Sequence, residues 1–282
     1  MSREAAQRYL TRELGITFPY VKMGNIDSLD LFGTSELMIL EIYESNPTRW
    51  RNVLDIGANL GLHSILMARL GWNVLAYEPD FEHYQRLLAN LEANDCKTVT
   101  PTMAAVHTAN GEARFVRVLD NLTGNHLLGY KDSYGPREEV LVPIVDCRQL
   151  FDWADFAKID CEGNEADILL TTTAQQMAHL SCVVEVRNEA NARLLYEHFR
   201  ALGVPLWSQL NNWERVVEFE NMPMKNRDGS LFIGHEGPWQ GGRTRQYVEM
   251  SSLRRHPFTL LPSPKTTEPK QPEQDLHGNR SV

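Results

Sequence analysis

Glycine and acidic residues fall where two predicted strands end, and residues of these types hold nucleoside ligands. Residues 50–56 form an apolar run typical of a buried strand, and Gly57 and Gly61 then enclose a tight turn. A segment with apolar residues at helical spacing separates this turn from a second apolar strand, which ends at Glu78. One βαβ unit thus carries a glycine turn after its first strand and an acid after its second. This pattern predicts binding of an adenosine-containing cofactor.

The turn argues against a dinucleotide. A pyrophosphate needs close approach to the backbone at the middle glycine of G-x-G-x-x-G, and Asn59 occupies that position here. Asp55, two residues before the turn, adds negative charge close to where the phosphates would lie. S-adenosylmethionine has no phosphate and carries a cationic sulfonium and ammonium, so it tolerates that acid. The alternative is a βαβ unit without a ligand, although neither Asp55 nor Asn59 has an obvious structural reason to be there.

A second motif places acids at another strand end. Residues 156–160 read as a buried strand, so Asp160 lies at the edge where open α/β sheets bind ligands, and Glu162 follows it. Glu165 falls in the first turn of the next helix, where the helix dipole favours an acid. Acids at exposed strand ends are costly unless they find a cation, a donor or a substrate. Asp160 and Glu162 are therefore candidate catalytic residues.

Taken together, these motifs resemble those of FkbM-type class I S-adenosylmethionine-dependent methyltransferases. The resemblance spans about residues 50–210 and leaves the first 48 residues and the tail uncovered. It implies a Rossmann-like, seven-stranded sheet with an antiparallel final strand, and O-methylation of a hydroxyl on a sugar or a natural-product-like small molecule. The matching segments are Leu54-Asp-Ile-Gly-Ala-Asn-Leu-Gly-Leu-His-Ser64, Tyr77-Glu-Pro-Asp80, Ala104-Ala-Val106, Lys158-Ile-Asp-Cys-Glu-Gly-Asn-Glu165 and Val183-Val-Glu-Val186.

The resemblance also implies a role for each matching position. Glu78 would hold the ribose hydroxyls, Ala105 and its neighbours would border the adenine, and Asp160 would lie near the transferring methyl group. The methionine and ribose end would be lined by Asp55, Gly57, Asn59 and Gly61. The sequence departs from the pattern at Arg187, where a histidine is common in such enzymes.

Methyl transfer is an in-line displacement, so most of the catalysis can come from positioning, and a general base adds to it. Asp160, Glu162 and Glu185 are base candidates at the same sheet edge. His63, in the first turn of the helix after Gly61, is a third candidate catalytic residue. Its position fits cofactor or substrate contact or a plain helix-face position. His126 is expected to be a solvated loop histidine. The three acids could also converge on a divalent cation, but no dense carboxylate spacing demands it, so no metal is expected.

The alternation of strands and helices predicts an α/β fold with a doubly wound, mostly parallel sheet and an N-terminal helical extension. The N-terminal segment contains a predicted helix over residues 35–43 with Ser35 as its N-cap. This segment would either cap the mouth of the cofactor site or merely cover an edge of the sheet. Residues 122–137 are polar and aperiodic, which predicts a surface loop. The predicted divisions are an N-terminal cap or lid (1–48), a methyltransferase domain (49–240), a C-terminal extension (241–261) and a disordered tail (262–282).

Composition limits the function classes. The chain has 282 residues, of which 42% are hydrophobic and 23% charged, as in an ordinary globular protein. Its formal net charge of −9 gives no support to nucleic-acid binding, so a small-molecule or glycan acceptor is expected instead, although a local basic patch stays open. The N-terminus lacks the apolar core of a signal peptide, and no apolar run is long enough to span a membrane. Four scattered cysteines without a C-x-x-C pair predict reduced thiols and a cytoplasmic location.

Two other readings stay open at the level of sequence. An N-methyltransferase would use the same cofactor on an amino sugar, a protein or a nucleic acid, but the chain lacks the Asn-Pro-Pro-Tyr type of turn. A catalytically silent methyltransferase-like domain would only bind a partner. Asp55, Glu78 and Asp160 argue against that silent form, because binding a protein partner does not require them.

Overall fold

The computed structural model describes residues 2–132, 135–225 and 228–239. Within these ranges the α-helices are α1 (Arg3–Glu13), α2 (Thr34–Ser45), α3 (Leu62–Arg69), α4 (Phe81–Ala93), α5 (Cys147–Trp153), α6 (Glu165–Leu169), α7 (Ala174–Met177) and α8 (Glu189–Leu202). The strands are β1 (Lys22–Met23), β2 (Ile26–Asp27), β3 (Asn52–Ile56), β4 (Asn73–Tyr77), β5 (Val99–Thr102), β6 (Ala105–His107), β7 (Gly111–Val118), β8 (His126–Leu127), β9 (Arg137–Asp146), β10 (Phe156–Ile159), β11 (Ser181–Glu185), β12 (Leu206–Ser208), β13 (Glu214–Arg215) and β14 (Ser230–Ile233). Among the described residues, no helix has both the length and the apolar character needed to cross a bilayer.

The central sheet confirms the predicted α/β class. Its strand order is β13-β12-β14-β11-β10-β3-β4-β5, and the five strands from β11 to β5 run parallel. The last strand, β14, inserts antiparallel between β11 and β12, as expected. The described sheet has eight strands instead of seven, because the two-residue β13 adds an edge to β12.

Both faces of this sheet are covered. Leu54 and Ile56 of β3 pack into one core with residues of α5, α6 and α8, whereas Val53 faces a second core with residues of α2 and α3. Successive side chains alternate between faces, and burial on both faces explains why the parallel strands read as continuous apolar runs. The doubly wound arrangement brings the ends of β3, β4 and β10 to one edge.

The N-terminal segment belongs to the second of these cores. Tyr43 of α2 packs edge-on against Trp72 and Phe156, at ring-centroid distances of 5.9 and 5.7 Å. The helix begins at Thr34, with Gly33 as an N-cap that makes no side-chain capping bond. The prediction of Ser35 as the cap is therefore wrong, since the helix starts one residue earlier.

The structure contains a second, four-stranded sheet that the sequence patterns did not predict. It has the order β6-β9-β7-β8 and includes a long antiparallel pairing of β7 with β9. The predicted loop over residues 122–137 contains a 3-10 turn (Leu122–Gly124) and β8 in its described part. His126 is fully buried, and its Nδ1 lies 2.8 Å from the carbonyl oxygen of Gly124. The expectation of a solvated histidine is therefore wrong, because His126 belongs to β8, which pairs with β7.

The predicted C-terminal extension (241–261) and tail (262–282) lie outside the described residues.

Candidate active site

The glycine turn follows β3 and lies against the end of β10. The amides of Gly57 and Ala58 both donate to the carbonyl oxygen of Tyr77, at 3.0 and 2.9 Å. Gly57 has a φ of +79°, and a Cβ added there would lie 1.8 Å from the carbonyl oxygen of Asp160. Only glycine fits such an approach without displacing the backbone. The turn and Asp160, 100 residues apart in sequence, are therefore in contact.

This contact gives the first testable prediction. Gly57→Ala should lower the free energy of unfolding by about 3 kcal/mol or more, since the methyl group meets backbone and the residue has a left-handed conformation. Gly71→Ala is the matched control, because Gly71 has a similar φ of +81° but nothing within 4 Å of its added Cβ. It should cost only about 1–2 kcal/mol. Equal losses in urea unfolding would show that the contact with Asp160 does not matter.

A cavity of about 140 Å³ lies at this edge of the sheet. Most of the predicted site residues line it, namely Gly57, Asn59, His63, Glu78, Ala105, Asp160 and Glu162. Asp55 and Gly61 do not line the cavity.

Asp55 is fully buried and accepts a 2.5 Å hydrogen bond from the hydroxyl of Ser64. A Cβ on Gly61 would meet the side chain of Leu87 in α4 at 2.5 Å, so Gly61 lets α3 and α4 approach.

Glu78 is held at the end of β4 by two backbone amides. Asn59 donates to Oε2 at 2.8 Å, and Asp80 donates to Oε1 at 2.9 Å. Burial raises the pKa of Glu78 to about 8, although these two amides favour the carboxylate. The side chain is thus fixed in position beside the glycine turn, with a carboxyl group at the cavity wall that titrates near neutral pH.

His63 connects the glycine turn to the N-terminal segment. Its Nε2 lies 2.9 Å from Oε2 of Glu36, and its Nδ1 lies 3.0 Å from the hydroxyl oxygen of Tyr43. Both residues belong to α2. Because both ring nitrogens have partners, this arrangement favours a positioning role for His63 over proton transfer, and its catalytic role stays a prediction.

Asp160 lies between two buried cations. Its Oδ2 is 3.4 Å from Nζ of Lys158, which also donates to the carbonyl oxygen of Gly57 at 3.3 Å. Burial opposes charge on Asp160, but Lys158 and Arg187 hold its pKa below the ordinary value. The pKa of Lys158 is raised despite its burial, chiefly by Asp160 and Asp55. Asp160 therefore stays ionised at neutral pH.

Arg187 fills the centre of an acidic cluster at the ends of β10 and β11. Its guanidinium lies 2.7 Å from Glu162 and 2.5 Å from Glu185, and 3.8 Å from both Asp160 and Glu165. Burial together with the charge of Asp160 raises the pKa of Glu185 to about 9, and burial also raises the pKa of Glu162.

Three of these acids, Asp160, Glu162 and Glu185, each offer an oxygen within 4.8 Å of the others, which suits a divalent cation. The guanidinium of Arg187 already supplies positive charge to the same carboxylates. It does so at the position where the sequence departs from the FkbM-type pattern. The expectation that no metal is required stays a prediction.

Several cavity residues were missed at the level of sequence. Lys158 lies in the second motif, inside an otherwise apolar strand. A charged residue in such a strand is itself a signal of a functional site. Asp30 and Glu36 of the N-terminal segment and His83 of α4 also line the cavity. Nothing in the local sequence distinguishes His83 from other polar residues of an amphipathic helix.

No family model matches the sequence, and no curated protein matches it. Three solved structures illustrate the similarities found. The N-terminal domain of human METTL16 in complex with SAH shares 17% identity, with 83% of this chain and 82% of that chain covered and a TM-score of 0.39. Precorrin-6y C5,15-methyltransferase from Geobacter metallireducens shares 12% identity over 70% of this chain and 86% of that chain, with a TM-score of 0.39. The hMettl16 catalytic domain in complex with MAT2A 3′UTR hairpin 6 shares 12% identity over 84% and 82%, with a TM-score of 0.46. At sequence identities of 12–17% and TM-scores of 0.39–0.46, the similarity concerns the path of the backbone alone.

The expectation that nucleic acid is an unlikely partner is contradicted by the last of these structures. That structure contains an RNA hairpin bound to a domain with a similar course of the chain. The expectation rested on a net charge of −9 summed over the whole chain, whereas phosphate binding depends on local basic groups. Overall charge is therefore no ground for excluding nucleic acid.

Proposed function

We propose that this protein is an S-adenosylmethionine-dependent methyltransferase of the FkbM type. The charge of the cavity wall carries the proposal. Among the described lining residues, five are acids (Asp30, Glu36, Glu78, Asp160 and Glu162), and Lys158 is the only lysine or arginine. Burial raises the pKa of Glu78 to about 8, so the other four acids give the wall its negative charge at pH 7. Such a wall repels a pyrophosphate and attracts a cationic ligand. A sulfonium with an ammonium group fits this charge pattern, and a nicotinamide or flavin dinucleotide does not.

The positions of the lining residues suit the parts of that cofactor. Glu78, fixed by two backbone amides, would accept hydrogen bonds from the ribose hydroxyls. The turn at residues 57–61 and the ionised Asp160 would hold the methionine end, with its positive charges. The bound cofactor supplies an electrophilic methyl group, and the protein contributes chiefly by positioning the attacking atom in line. Ala105 would border the adenine.

We further propose that the acceptor atom is a hydroxyl oxygen of a sugar or a natural-product-like small molecule. A smaller cleft of about 40 Å³ adjoins the cavity at Lys158 and Asp160, and Ser35, Glu185 and Ser230 line it. Carboxyl and hydroxyl groups of this kind bind polyols by hydrogen bonding. Asp160 lines both the cavity proposed for the cofactor and the smaller cleft. It would therefore accept the proton of the acceptor hydroxyl. Glu162 is a weaker candidate, because Arg187 and Lys131 pair with it at 2.7 and 2.8 Å, closer than the 3.4 and 3.8 Å that separate Asp160 from its two cations.

Calorimetric titration with S-adenosylhomocysteine and with NAD tests the cofactor class, and binding of NAD alone would refute the proposal. Radiolabelled methyl transfer to sugars, amino sugars, natural products, peptides and RNA hairpins then tests the acceptor class. Transfer only to an amine or to RNA would refute O-methylation of a small molecule while leaving the cofactor assignment intact. Cofactor binding without transfer to any of these acceptors would favour the silent binding domain.

Asp160→Asn tests the proposed catalytic role. We expect kcat to fall about 10²–10⁴-fold, because the carboxylate that accepts the proton is gone. The affinity for S-adenosylhomocysteine should fall as well, because Asp160 would also hold the charged methionine end, so kcat is measured at saturating cofactor. Asp95→Asn, which alters a well-exposed acid in the turn after α4, is the control and should leave both values unchanged. A kcat for Asp160→Asn within threefold of the control would exclude Asp160 as the base.

A further inference from the structure

We propose that His83 is a binding residue for the cis-diol of the ribose, adjacent to Glu78. The inference rests on the proposed function, because it assumes a nucleoside ligand in the cavity. It adds a residue that no sequence motif identifies and assigns a hydroxyl-selective contact to it.

His83 is held rigidly near the start of α4. Its backbone amide donates to Oδ1 of Asp80 at 3.0 Å, so the N-cap of the helix fixes it. Its side chain lines the cavity and is only 3% exposed. Nδ1 lies 3.9 Å from Oε1 of Glu78. The imidazole is thus close to the carboxyl group proposed to bind the ribose.

The other ring nitrogen gives the stronger argument. Nε2 of His83 is buried and has no hydrogen-bond partner among the described residues. Buried polar atoms are nearly always paired, and an exception at a cavity wall points to a ligand that completes the pairing. Burial also lowers the pKa of His83, which favours the neutral ring. In that form one ring nitrogen donates a hydrogen bond and the other accepts one, and a hydroxyl group can pair with either.

A second unpaired atom belongs to Asn59, which also contacts Glu78. Oδ1 of Asn59 is also buried without a partner, while the backbone amide of Asn59 donates to Oε2 of Glu78. Glu78 is therefore flanked by Asn59 next to Oε2 and by His83 next to Oε1. Two neighbouring hydroxyl groups on one sugar ring match this arrangement, since each would bond to one carboxyl oxygen of Glu78, with Nε2 of His83 and Oδ1 of Asn59 left to complete the pairing. The site should prefer ribose to either deoxyribose.

A cycle of variants and ligands tests the proposal in the full-length protein. The ligands are S-adenosylhomocysteine and its 2′-deoxy and 3′-deoxy analogues, and the variants are His83→Phe and, as a control on the same helix, Tyr84→Phe. We expect His83→Phe to weaken binding of S-adenosylhomocysteine 10-fold to 50-fold and Tyr84→Phe to weaken it less than twofold. For one of the deoxy analogues the effect of His83→Phe should fall below threefold, because the hydroxyl that His83 binds is missing.

The possible outcomes separate the two proposals. Equal losses for all three ligands, or no loss for any, would overturn the role of His83 while leaving the cofactor assignment intact. Absence of S-adenosylhomocysteine binding to the unmodified protein would overturn the proposed function, and this inference with it. If His83→Phe does not fold, long-range ¹⁵N spectra of the unmodified protein replace it. The Nε2 resonance should shift on binding S-adenosylhomocysteine and not with the matching deoxy analogue, and an unchanged resonance would refute the contact.

Discussion

Arg187→Ala should destabilise the protein by about 3–5 kcal/mol at pH 7, as expected when one partner of a buried ion cluster is removed. The guanidinium is only 9% exposed and lies 2.7 Å from Glu162 and 2.5 Å from Glu185. Its removal leaves these acids and Asp160 close together without their shared cation. Urea unfolding measures the loss. Arg8→Ala, which breaks a well-exposed pair with Glu4, is the control and should cost less than about 1 kcal/mol.

The loss should shrink as the pH falls. In the variant, Asp160 no longer has the guanidinium that helps to hold its pKa below the ordinary value, and Glu162 has a pKa that burial already raises. Glu162 should therefore take up a proton more readily in the folded variant than in the unfolded chain, and its repulsion with Asp160 should weaken as the pH falls. A loss that is constant from pH 5 to pH 8 would show that the guanidinium contributes by packing and not by charge.

The same variant tests whether Arg187 takes the place of a metal ion. Asp160, Glu162 and Glu185 retain the spacing that a divalent cation accepts. We therefore expect millimolar Mn²⁺ or Mg²⁺ to raise the melting temperature of Arg187→Ala and to leave that of the unmodified protein unchanged. Stabilisation of the unmodified protein would show that a metal binds beside the arginine, contrary to expectation.

The sequence was most informative where a function is set by local backbone geometry. A turn at Gly57 after one strand and an acid at Glu78 after the next define a βαβ unit, and the order of the strands follows from the right-handed crossovers that such units require. The fold class and the sheet edge of the site are therefore readable from short motifs.

Contacts between distant segments were not readable in the same way. The pairing of β6 with β9 joins residues nearly 40 positions apart, and short strands of this kind have weak patterns of their own. Asp55 shows a second limit. It lies within β3 and not at its tip, where the hydroxyl of Ser64 covers it, so a position two residues before a turn did not place its side chain in the cavity. Arg187 and His83 likewise acquire their surroundings only from tertiary packing.

Glu78→Gln should abolish most of the cofactor affinity, with a dissociation constant for S-adenosylhomocysteine at least about 100-fold higher. Two ribose hydroxyls donating to one carboxylate contribute about 1.5–3 kcal/mol each, and an amide replaces one accepting oxygen with a donor. That donor would also face a backbone amide of Asn59 or Asp80, both of which now donate to Glu78. Calorimetric titration measures the change, and Glu92→Gln, at an exposed position on α4, is the control.

The ionisation of Glu78 supplies a second readout for the same variant. With a pKa of about 8, its carboxyl group is mostly protonated at pH 7 in the free protein, whereas in the bound form it would be a carboxylate that accepts hydrogen bonds from two hydroxyl groups. Binding at pH 7 should therefore release close to one proton, and affinity should rise about tenfold per pH unit between pH 6 and pH 8 before levelling off. Calorimetric titrations in two buffers of different ionisation enthalpy measure the number of protons released on binding. Glu78→Gln should release none, and an equal release from this variant and the unmodified protein would assign the proton to another group, leaving Glu78 without its proposed role.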